Sequence, residues 1–200
     1  GSSSMTTTHR IAVIGGDGIG PEVMDEGLKV LAAVAERHGI SYETVVYPFG
    51  TDHWLATGGE QGGETMPDSA FAEIRDGCDA VLLGAIGDPR APVGHVEHGV
   101  IMRLRVGLDQ YINLRPVKLY PGVDTPLKDK GPEDINFDVI RENTEDLYCG
   151  NGGILRIGTQ QEVATQEMIA TRFGVERCIR YAFDFCRRKK EQGTGKGLLT

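Results

Sequence analysis

The stretch R-I-A-V-I-G-G-D-G-I-G-P-E-V, Arg10 to Val23, decides the fold. Arg10 to Ile14 is a short apolar run that reads as a buried strand. Gly15, Gly16, Gly18 and Gly20 make a tight turn, and Pro21 suits the first position of a helix. That helix runs to about Arg37, with Met24, Leu28, Leu31 and Ala35 on one face and Gly39 ending it. A glycine turn between strand and helix invites two phosphate-binding readings, and neither fits. A Walker loop needs Gly-Lys-Ser/Thr where Pro21 and Glu22 stand, and the dinucleotide fingerprint needs a third glycine where Pro21 stands. The glycines serve either the turn itself or a close-lying cofactor.

Outward from this unit the pattern repeats. Tyr42 to Tyr47 reads as a second strand, followed by a turn at Pro48 to Gly50 and a surface loop at Gly58 to Gly63. Pro67 to Arg75 reads as a helix with Phe71 and Ile74 inward. Ala80 to Leu83 reads as a third strand buried on both faces. Strands alternating with helices predict an α/β fold with a parallel or mixed sheet flanked by helices. Gly84 to Pro89 leaves the third strand at the end where open α/β sheets bind ligands. Val100 to Leu108 has a helical pattern with Ile101, Leu104 and Leu108 on one side, and His95 and His98 are read as loop residues.

Asp109 to Leu119 reads as a strand crossing into a second α/β domain, so domains are expected over 5–108 and 109–200, both incomplete. Pro121 to Pro132 is a variable loop. Ile135, Phe137 and Val139 alternate as a half-buried strand, Asn151-Gly152-Gly153 reads as a hairpin turn, and Ile154 to Ile157 as the strand after it. The clearest helix carries Val175, Cys178, Ile179, Ala182, Phe183 and Cys186 on one face and closes with the cations Arg187 to Lys190, read as complementing the helix dipole. Leu198 to Thr200 look like the opening of a strand.

Arg105, Arg115 and Arg141 are candidates for gripping one small polyanion. A guanidinium holds a carboxylate through two parallel hydrogen bonds, so three of them suit a di- or tricarboxylic acid. Tyr148 follows Arg141 closely, and a phenol beside such a site can donate or relay a proton. Taken singly, each of these residues is more often an ordinary surface cation or half-buried ring.

Composition excludes several classes. The net charge of −8 argues against a nucleic-acid surface. No run approaches the roughly 18 apolar residues of a membrane span. The cysteines at 78, 149, 178 and 186 contain no C-x-x-C pair and suit free thiols in a reducing cytoplasm. Gly1 to Ser4 look like an expression scar.

Four motifs in order lift the arginines above their ordinary reading. I-G-G-D-G-I-G-P-E-V (Ile14 to Val23), L-L-G-A-I-G-D-P (Leu82 to Pro89), N-L-R-P-V-K-L-Y-P-G (Asn113 to Gly122) and R-E-N-T-E (Arg141 to Glu145) resemble the metal-dependent β-decarboxylating dehydrogenases, the isocitrate/isopropylmalate dehydrogenase family. The resemblance is greatest to members acting on 3-isopropylmalate, through G-A-I-G-D-P, N-G-G-I-L-R-I-G-T (Asn151 to Thr159) and E-V-A-T (Glu162 to Thr165). One departure is Gly15, where the family usually has proline, which should loosen the turn slightly.

The resemblance implies an enzyme using NAD and Mg²⁺ or Mn²⁺ for oxidative decarboxylation of a 2-hydroxy diacid in the cytoplasm. Ile19 and the run Gly84, Ala85, Ile86, Gly87 would contact the cofactor, and Arg105, Arg115 and Arg141 the substrate carboxylates. Tyr148 would be the catalytic acid. Ile101 and Met102 would face the substrate's variable group, where an apolar pair suits a branched alkyl chain, and Gly99 stands where an isocitrate enzyme would want a hydroxyl. No residue matches the family's catalytic lysine or metal-binding aspartates, which are expected beyond Thr200, so the chain is read as a fragment that exposes apolar surface. An arm over 133–160 would pair with its copy in a homodimer. Tartrate, D-malate and homoisocitrate remain open as substrates, as does a non-catalytic subunit that binds a polycarboxylate.

Overall fold

A computed structural model describes residues 7–200, so the Gly1–Ser4 scar lies outside the described residues. The chain divides into two compact units between Leu108 and Asp109.

The first unit is built on β1 (Thr8–Ile14), whose C-terminal end, Ala12, Val13 and Ile14, is almost wholly buried. It lies between β2 (Ser41–Tyr47) and β3 (Ala80–Leu83) and pairs parallel with both, Ile14 standing opposite Tyr47 on one side and Leu83 on the other. Parallel pairing forces a crossover between strands. The first is α1 (Gly20–His38), with Pro21 in its first turn and Gly39 closing it in the left-handed conformation that glycine adopts at least cost. Met24 and Ala35 are its buried side chains and Leu28 and Leu31 are half-buried, the face expected from the periodicity. The second crossover contains α2 (Thr51–Ala56), a single-turn element around Gly59–Gln61, and α3 (Asp68–Gly77). Tyr47, Phe49, Trp54, Met66 and Ile74 fill the core over β1, and Phe71 packs against it.

Three expectations are corrected here. α2 starts one residue after the Pro48–Gly50 turn, and the short apolar pattern of T-D-H-W-L-A gave no helical signal. β3 is half-buried rather than buried on both faces, because it pairs with β1 alone and its other edge is open. His95 and His98 are not loop residues: they begin a helical run made of α4 (His95–Glu97), a π-helical turn His98–Met102 and α5 (Arg103–Gly107). Val96, Val100 and Leu104 point inward from it, so Val100 takes the place expected for Ile101, and the wider π turn leaves Ile101 and Met102 half-exposed.

The second unit has an antiparallel pair, β4 (Ile112–Lys118) with β5 (Asn136–Glu142), and a separate ribbon, β6 (Gly152–Leu155) with β7 (Val163–Gln166). The long helix α6 (Arg172–Glu191) packs on β5. β5 has the opposite phase to the one its apolar alternation implies. Phe137 and Val139 are exposed, while Asp138 and Ile140 are half-buried. The cause is an ion pair: Lys189 Nζ of α6 donates to Asp138 Oδ2 at 2.5 Å, so the polar residue turns towards the helix. Lys189 therefore has a structural partner beyond the helix dipole. Asn151-Gly152-Gly153 leads into β6 instead of turning, and the hairpin turn falls at 156–162. Residues 198–200 form no strand. Ala182 is the one fully buried hydrophobic side chain among the described residues of this unit, and Val175, Ile179 and Phe183 of α6 are exposed.

Breaking the Lys189–Asp138 pair leaves a half-buried charge unmatched. Such a loss lies between a surface pair, near zero, and a fully buried one, so Lys189→Met is expected to destabilise the fold by about 1–3 kcal/mol. The double variant with Asp138→Asn should recover part of that loss in urea unfolding. A single variant as stable as the parent would show the pair contributes nothing.

Candidate functional site

Two clusters of the predicted residues are built locally, one in each unit.

In the first unit the glycine turn between β1 and α1 meets the loop that leaves β3. The contact is backbone against backbone. Asp17 N donates to Ala85 O at 2.6 Å and Gly84 N to Ile14 O at 2.8 Å. Gly16 holds φ +77°, and a Cβ there would lie 2.1 Å from Ala85 O; a Cβ on Gly84 would lie 2.0 Å from Gly15 O. Only residues without side chains permit this approach. A Cβ on Gly15 would meet Pro21 at an ordinary 3.6 Å, so position 15 accepts a side chain.

Asp17, missed in the sequence reading, organises the cluster. It is 5% exposed, and its Oδ1 accepts from Thr51 N at 2.7 Å while Oδ2 accepts from Thr51 Oγ1 at 3.0 Å and Gly87 N at 2.9 Å. The carboxylate thereby ties the turn to the start of α2 and to the 84–87 loop. Farther along, Arg90 donates to Asp88 and Asp52 at 2.8 Å each, and its hydrogen bonds hold the Asp88 carboxyl down at about 2. The result is a fixed shelf on which Ile19 and Ala85 are exposed, Gly84 and Ile86 half-buried, and Gly87 abuts Glu97 of α4. An exposed apolar side chain beside tightly apposed backbone fits the flat ring and ribose of a nicotinamide cofactor. Arg105, Ile101 and Met102 stand on the helical run of the same unit, all half-exposed, and Gly99 has Thr65 against it, with no room for a side chain.

In the second unit the β4–β5 register sets Arg115 opposite Val139 and Asn113 opposite Arg141. Residues opposite each other share a face, so Arg115 and Arg141 are diagonal neighbours on one side of the pair. Arg115 Nε donates to Asn113 Oδ1 at 3.1 Å, and the Arg141 guanidinium lies 4.7 Å from the centre of the Tyr148 ring. Structure thus brings Arg115, Arg141 and Tyr148 together. Arg105 belongs to the other unit.

The remaining letters of R-E-N-T-E hold this group in place. Asn143 is buried, donates to Gln110 O at 2.9 Å and accepts from Asn113 Nδ2 at 3.2 Å. Glu142 accepts from Thr144 N and Oγ1 at 2.9 and 2.6 Å and from Glu145 N at 2.8 Å. Partial burial pushes the Glu142 carboxyl up, but the hydrogen bonds from Thr144 and Glu145 prevail and hold it below its ordinary value. Glu145 accepts from Thr171 N at 2.8 Å and from the Thr171 hydroxyl, joining the turn to the N-terminus of α6. Arg177 of α6, stacked 4.4 Å from both Tyr111 and Phe173, donates to both oxygens of Asp109 at 2.8 Å and depresses that carboxyl. Sequence reasoning marked Arg141 but gave Glu142, Asn143 and Glu145 no role; carboxylates and an amide crowded after a strand are the signal of a stapled turn.

Among the described residues, no group of three His, Cys, Asp or Glu side chains could hold a metal ion. Nor, among them, is any helix long and apolar enough to cross a membrane. Burial pushes the Cys178 thiol up, away from nucleophile chemistry.

A parallel-sheet α/β unit with a glycine shelf at its strand ends, followed by an arginine-faced antiparallel pair, defines the class. The isocitrate/isopropylmalate dehydrogenase family model matches residues 10–194, and the chain belongs to that family. It is 55% identical over 176 residues to the 3-isopropylmalate dehydrogenase of Thermobifida fusca (strain YX), covering 88% of this chain and 48% of that protein. To the 3-isopropylmalate dehydrogenase of Mycobacterium bovis (strain BCG / Pasteur 1173P2) it is 48% identical over 185 residues, 92% of this chain and 52% of that protein. Among solved structures, isocitrate dehydrogenase from Methylococcus capsulatus superposes with a TM-score of 0.74 at 32% identity, over 91% of this chain and 48% of that one. The chain spans about half the length of the curated relatives it matches.

The lowered Glu142 carboxyl has a pH signature. Its contribution to stability is complete above its ordinary value of 4.5 and is lost as pH falls below that through the lower folded value. Glu142→Gln is therefore expected to cost roughly 1 kcal/mol at pH 7, reduced from the full value of a charged hydrogen bond by solvent screening. The gap to the parent should narrow as pH falls below 4.5 in thermal unfolding; a gap that stays constant with pH would remove the charge from the account.

Proposed function

We propose that the protein is an NAD-dependent, divalent-metal-dependent dehydrogenase that oxidises and decarboxylates a 2-hydroxy diacid, 3-isopropylmalate, to 4-methyl-2-oxopentanoate, the chemistry of leucine biosynthesis. The observation that carries this reading is the pairing of Arg115 and Arg141 on one face of β4–β5, with Tyr148 beneath Arg141. Family membership and the relatives named 3-isopropylmalate dehydrogenase support it.

In this reading Arg105, Arg115 and Arg141 bind the substrate carboxylates, and Ile19 and Gly84–Gly87 bind the cofactor. NAD⁺ held there would supply the acceptor for the hydride of the hydroxyl-bearing carbon, with the hydroxyl proton released to water. The β-keto acid formed releases CO₂, and its electron pair stays as an enolate. Tyr148 supplies the proton that closes the carbon left behind, which is general acid catalysis. Ile101 and Met102 cover the branched alkyl group; each buried methylene contributes about 0.8 kcal/mol. The absence of room at Gly99 supports an alkyl group over a third carboxylate needing a hydroxyl there. Mg²⁺ or Mn²⁺, when bound, would supply electrostatic stabilisation of the enolate.

The reading also holds that two copies pair through the β6–β7 ribbon, whose Ile154, Leu155 and Val163 are exposed, and that the enzyme works in the cytoplasm. Its acidic balance supports no nucleic-acid partner. The direct test is NADH formation by the full-length protein with Mn²⁺ and a panel of 2-hydroxy diacids. Turnover of tartrate, D-malate or homoisocitrate ahead of 3-isopropylmalate would move the substrate. Binding of the diacids without turnover would favour a regulatory subunit.

Two substitutions separate the roles. Arg115→Ala removes one charge-assisted carboxylate contact, worth roughly 1.5–3 kcal/mol, so KM for the diacid should rise at least about tenfold with the fold intact. Unchanged kinetics would end the arginine clamp. Tyr148→Phe keeps the ring under Arg141 and removes its transferable proton, so kcat should fall by about 10²–10⁴-fold with little change in KM. Reduction of the keto-acid intermediate by NADH needs no such protonation and should suffer less; equal losses in both reactions would take the acid role away from Tyr148.

A further inference from the structure

We infer that Asp17 is a positioning residue for the cofactor, acting through the Gly87 amide. The inference rests on the assignment of the 84–87 loop to NAD. The geometry is specific. Ile86 packs against the core, but Ala85 and Gly87 on either side of it are exposed, and exposed backbone has little packing to hold it in one conformation. Gly87 also has φ +133°, a region open to glycine and closed to most side chains, so its own backbone offers little restraint. Asp17 supplies the restraint from below. One carboxylate, 5% exposed, binds Gly87 N at 2.9 Å through Oδ2, while its own amide holds Ala85 O at 2.6 Å. The loop is thus pinned at two points, Ala85 O and Gly87 N, with Ile86 between them.

The other donors show why a carboxylate is required. Thr51 N and Thr51 Oγ1 approach the same side chain at 2.7 and 3.0 Å, so three donors point at two oxygens and no acceptor is among the backbone groups. An amide in place of the carboxylate turns its NH₂ either on Gly87 N or on Thr51 N. Whichever way it turns, one N–H faces another N–H. The hydroxyl of Thr51 can reverse and accept, but the backbone amides cannot. Asp17 therefore does for α2 what an N-cap side chain does, from 34 residues away in sequence, and does the same for a loop 70 residues away. Because its buried oxygens are taken up by the Thr51 and Gly87 donors, its effect on the reaction would pass through Gly84–Gly87.

The experiment compares Asp17→Asn and Thr51→Val in the full-length protein. NAD affinity is read by equilibrium dialysis, together with kcat, KM for the diacid, the melting temperature and hydrogen exchange at Gly87. Asp17→Asn is expected to weaken NAD binding by about tenfold or more and to speed Gly87 exchange, with the diacid KM close to the parent's. Thr51→Val removes one donor but leaves both backbone amides on the carboxylate, so it should lower the melting temperature while NAD affinity and Gly87 exchange stay at parent values. An Asp17→Asn protein that binds NAD as the parent does would overturn the inference and leave the proposed function standing. Equal loss of NAD affinity in both variants would overturn it too, because it would mark a general weakening of the fold. If Asp17→Asn does not fold, the parent decides: an exposed glycine amide that exchanges as fast as an open loop contradicts the anchor, and one protected about tenfold or more supports it. A parent protein that does not bind NAD brings down the proposed function, and this inference with it.

Discussion

A buried carboxylate must find partners for its oxygens or give up its charge, and in the first unit that constraint fixes the architecture around the strand ends. Asp17 has no cation beside it; its partners are two backbone amides and a hydroxyl. Charge-assisted bonds of this kind are stronger than neutral ones. Satisfying them requires the turn after β1, the first residue of α2 and the loop after β3 to stand in one arrangement. The glycines follow from that demand. Gly16, Gly20 and Gly84 lie where a Cβ would come within 2.0–2.2 Å of a carbonyl oxygen, so backbone can close on backbone around the carboxylate. Turn and shelf are one construction, because the glycines that make the turn also let the 84–87 loop close on it.

The second unit solves a different problem with similar means. Its strands β4 and β5 carry cations on one face, and a guanidinium on an open strand pair is mobile unless something orders it. Arg141 lies against the Tyr148 ring and Arg115 bonds Asn113, while Asn143 bonds the same Asn113 from the turn. Behind that turn, Glu142 and Glu145 spend their acceptors on backbone amides and on Thr171, the cap of α6. The site's face holds the positive charge; the negative charge of the same motif is consumed in the scaffold. A net acidic chain can present a cationic face in this way without contradiction.

Much of this was legible in the sequence where the signal is local. The period of α1, its proline start and its Gly39 stop lie within one stretch, and the structure follows them within a residue or two. The apolar runs of β1 and β3 and the order of strands and helices gave the parallel sheet. Legibility failed where a distant partner decides. Ile135, Phe137 and Val139 alternate as an inward-facing set should, yet Lys189, about fifty residues on, draws Asp138 inward and turns Phe137 and Val139 out. The six residues of α2 have too few turns for a periodic signal, and what fixes their start is Asp17. Asn151-Gly152-Gly153 has the composition of a tight turn, but Gly152 takes φ +149° against Thr165 O within a strand pair, where only glycine fits.

The reversed phase of β5 also changes what the arginine face is made of. With Asp138 turned to α6, the opposite face carries Asn113, Arg115 and Val117 from β4 and Phe137, Val139 and Arg141 from β5. Two guanidiniums therefore stand among apolar side chains, where the same charge acts more strongly than it would in open water once that face is covered. Had the apolar alternation ruled, Phe137, Val139 and Arg141 would all lie under α6, and Asp138 would share the other face with Arg115. Arg141 would be lost from that face, and a carboxylate there would compete with any acidic ligand for the Arg115 guanidinium. The Lys189–Asp138 pair removes that competitor, so an interaction on the scaffold side of the strand sets the electrostatics of the other side. Sequence periodicity alone could not reveal it, because the decision rests on which face can offer aspartate a cation.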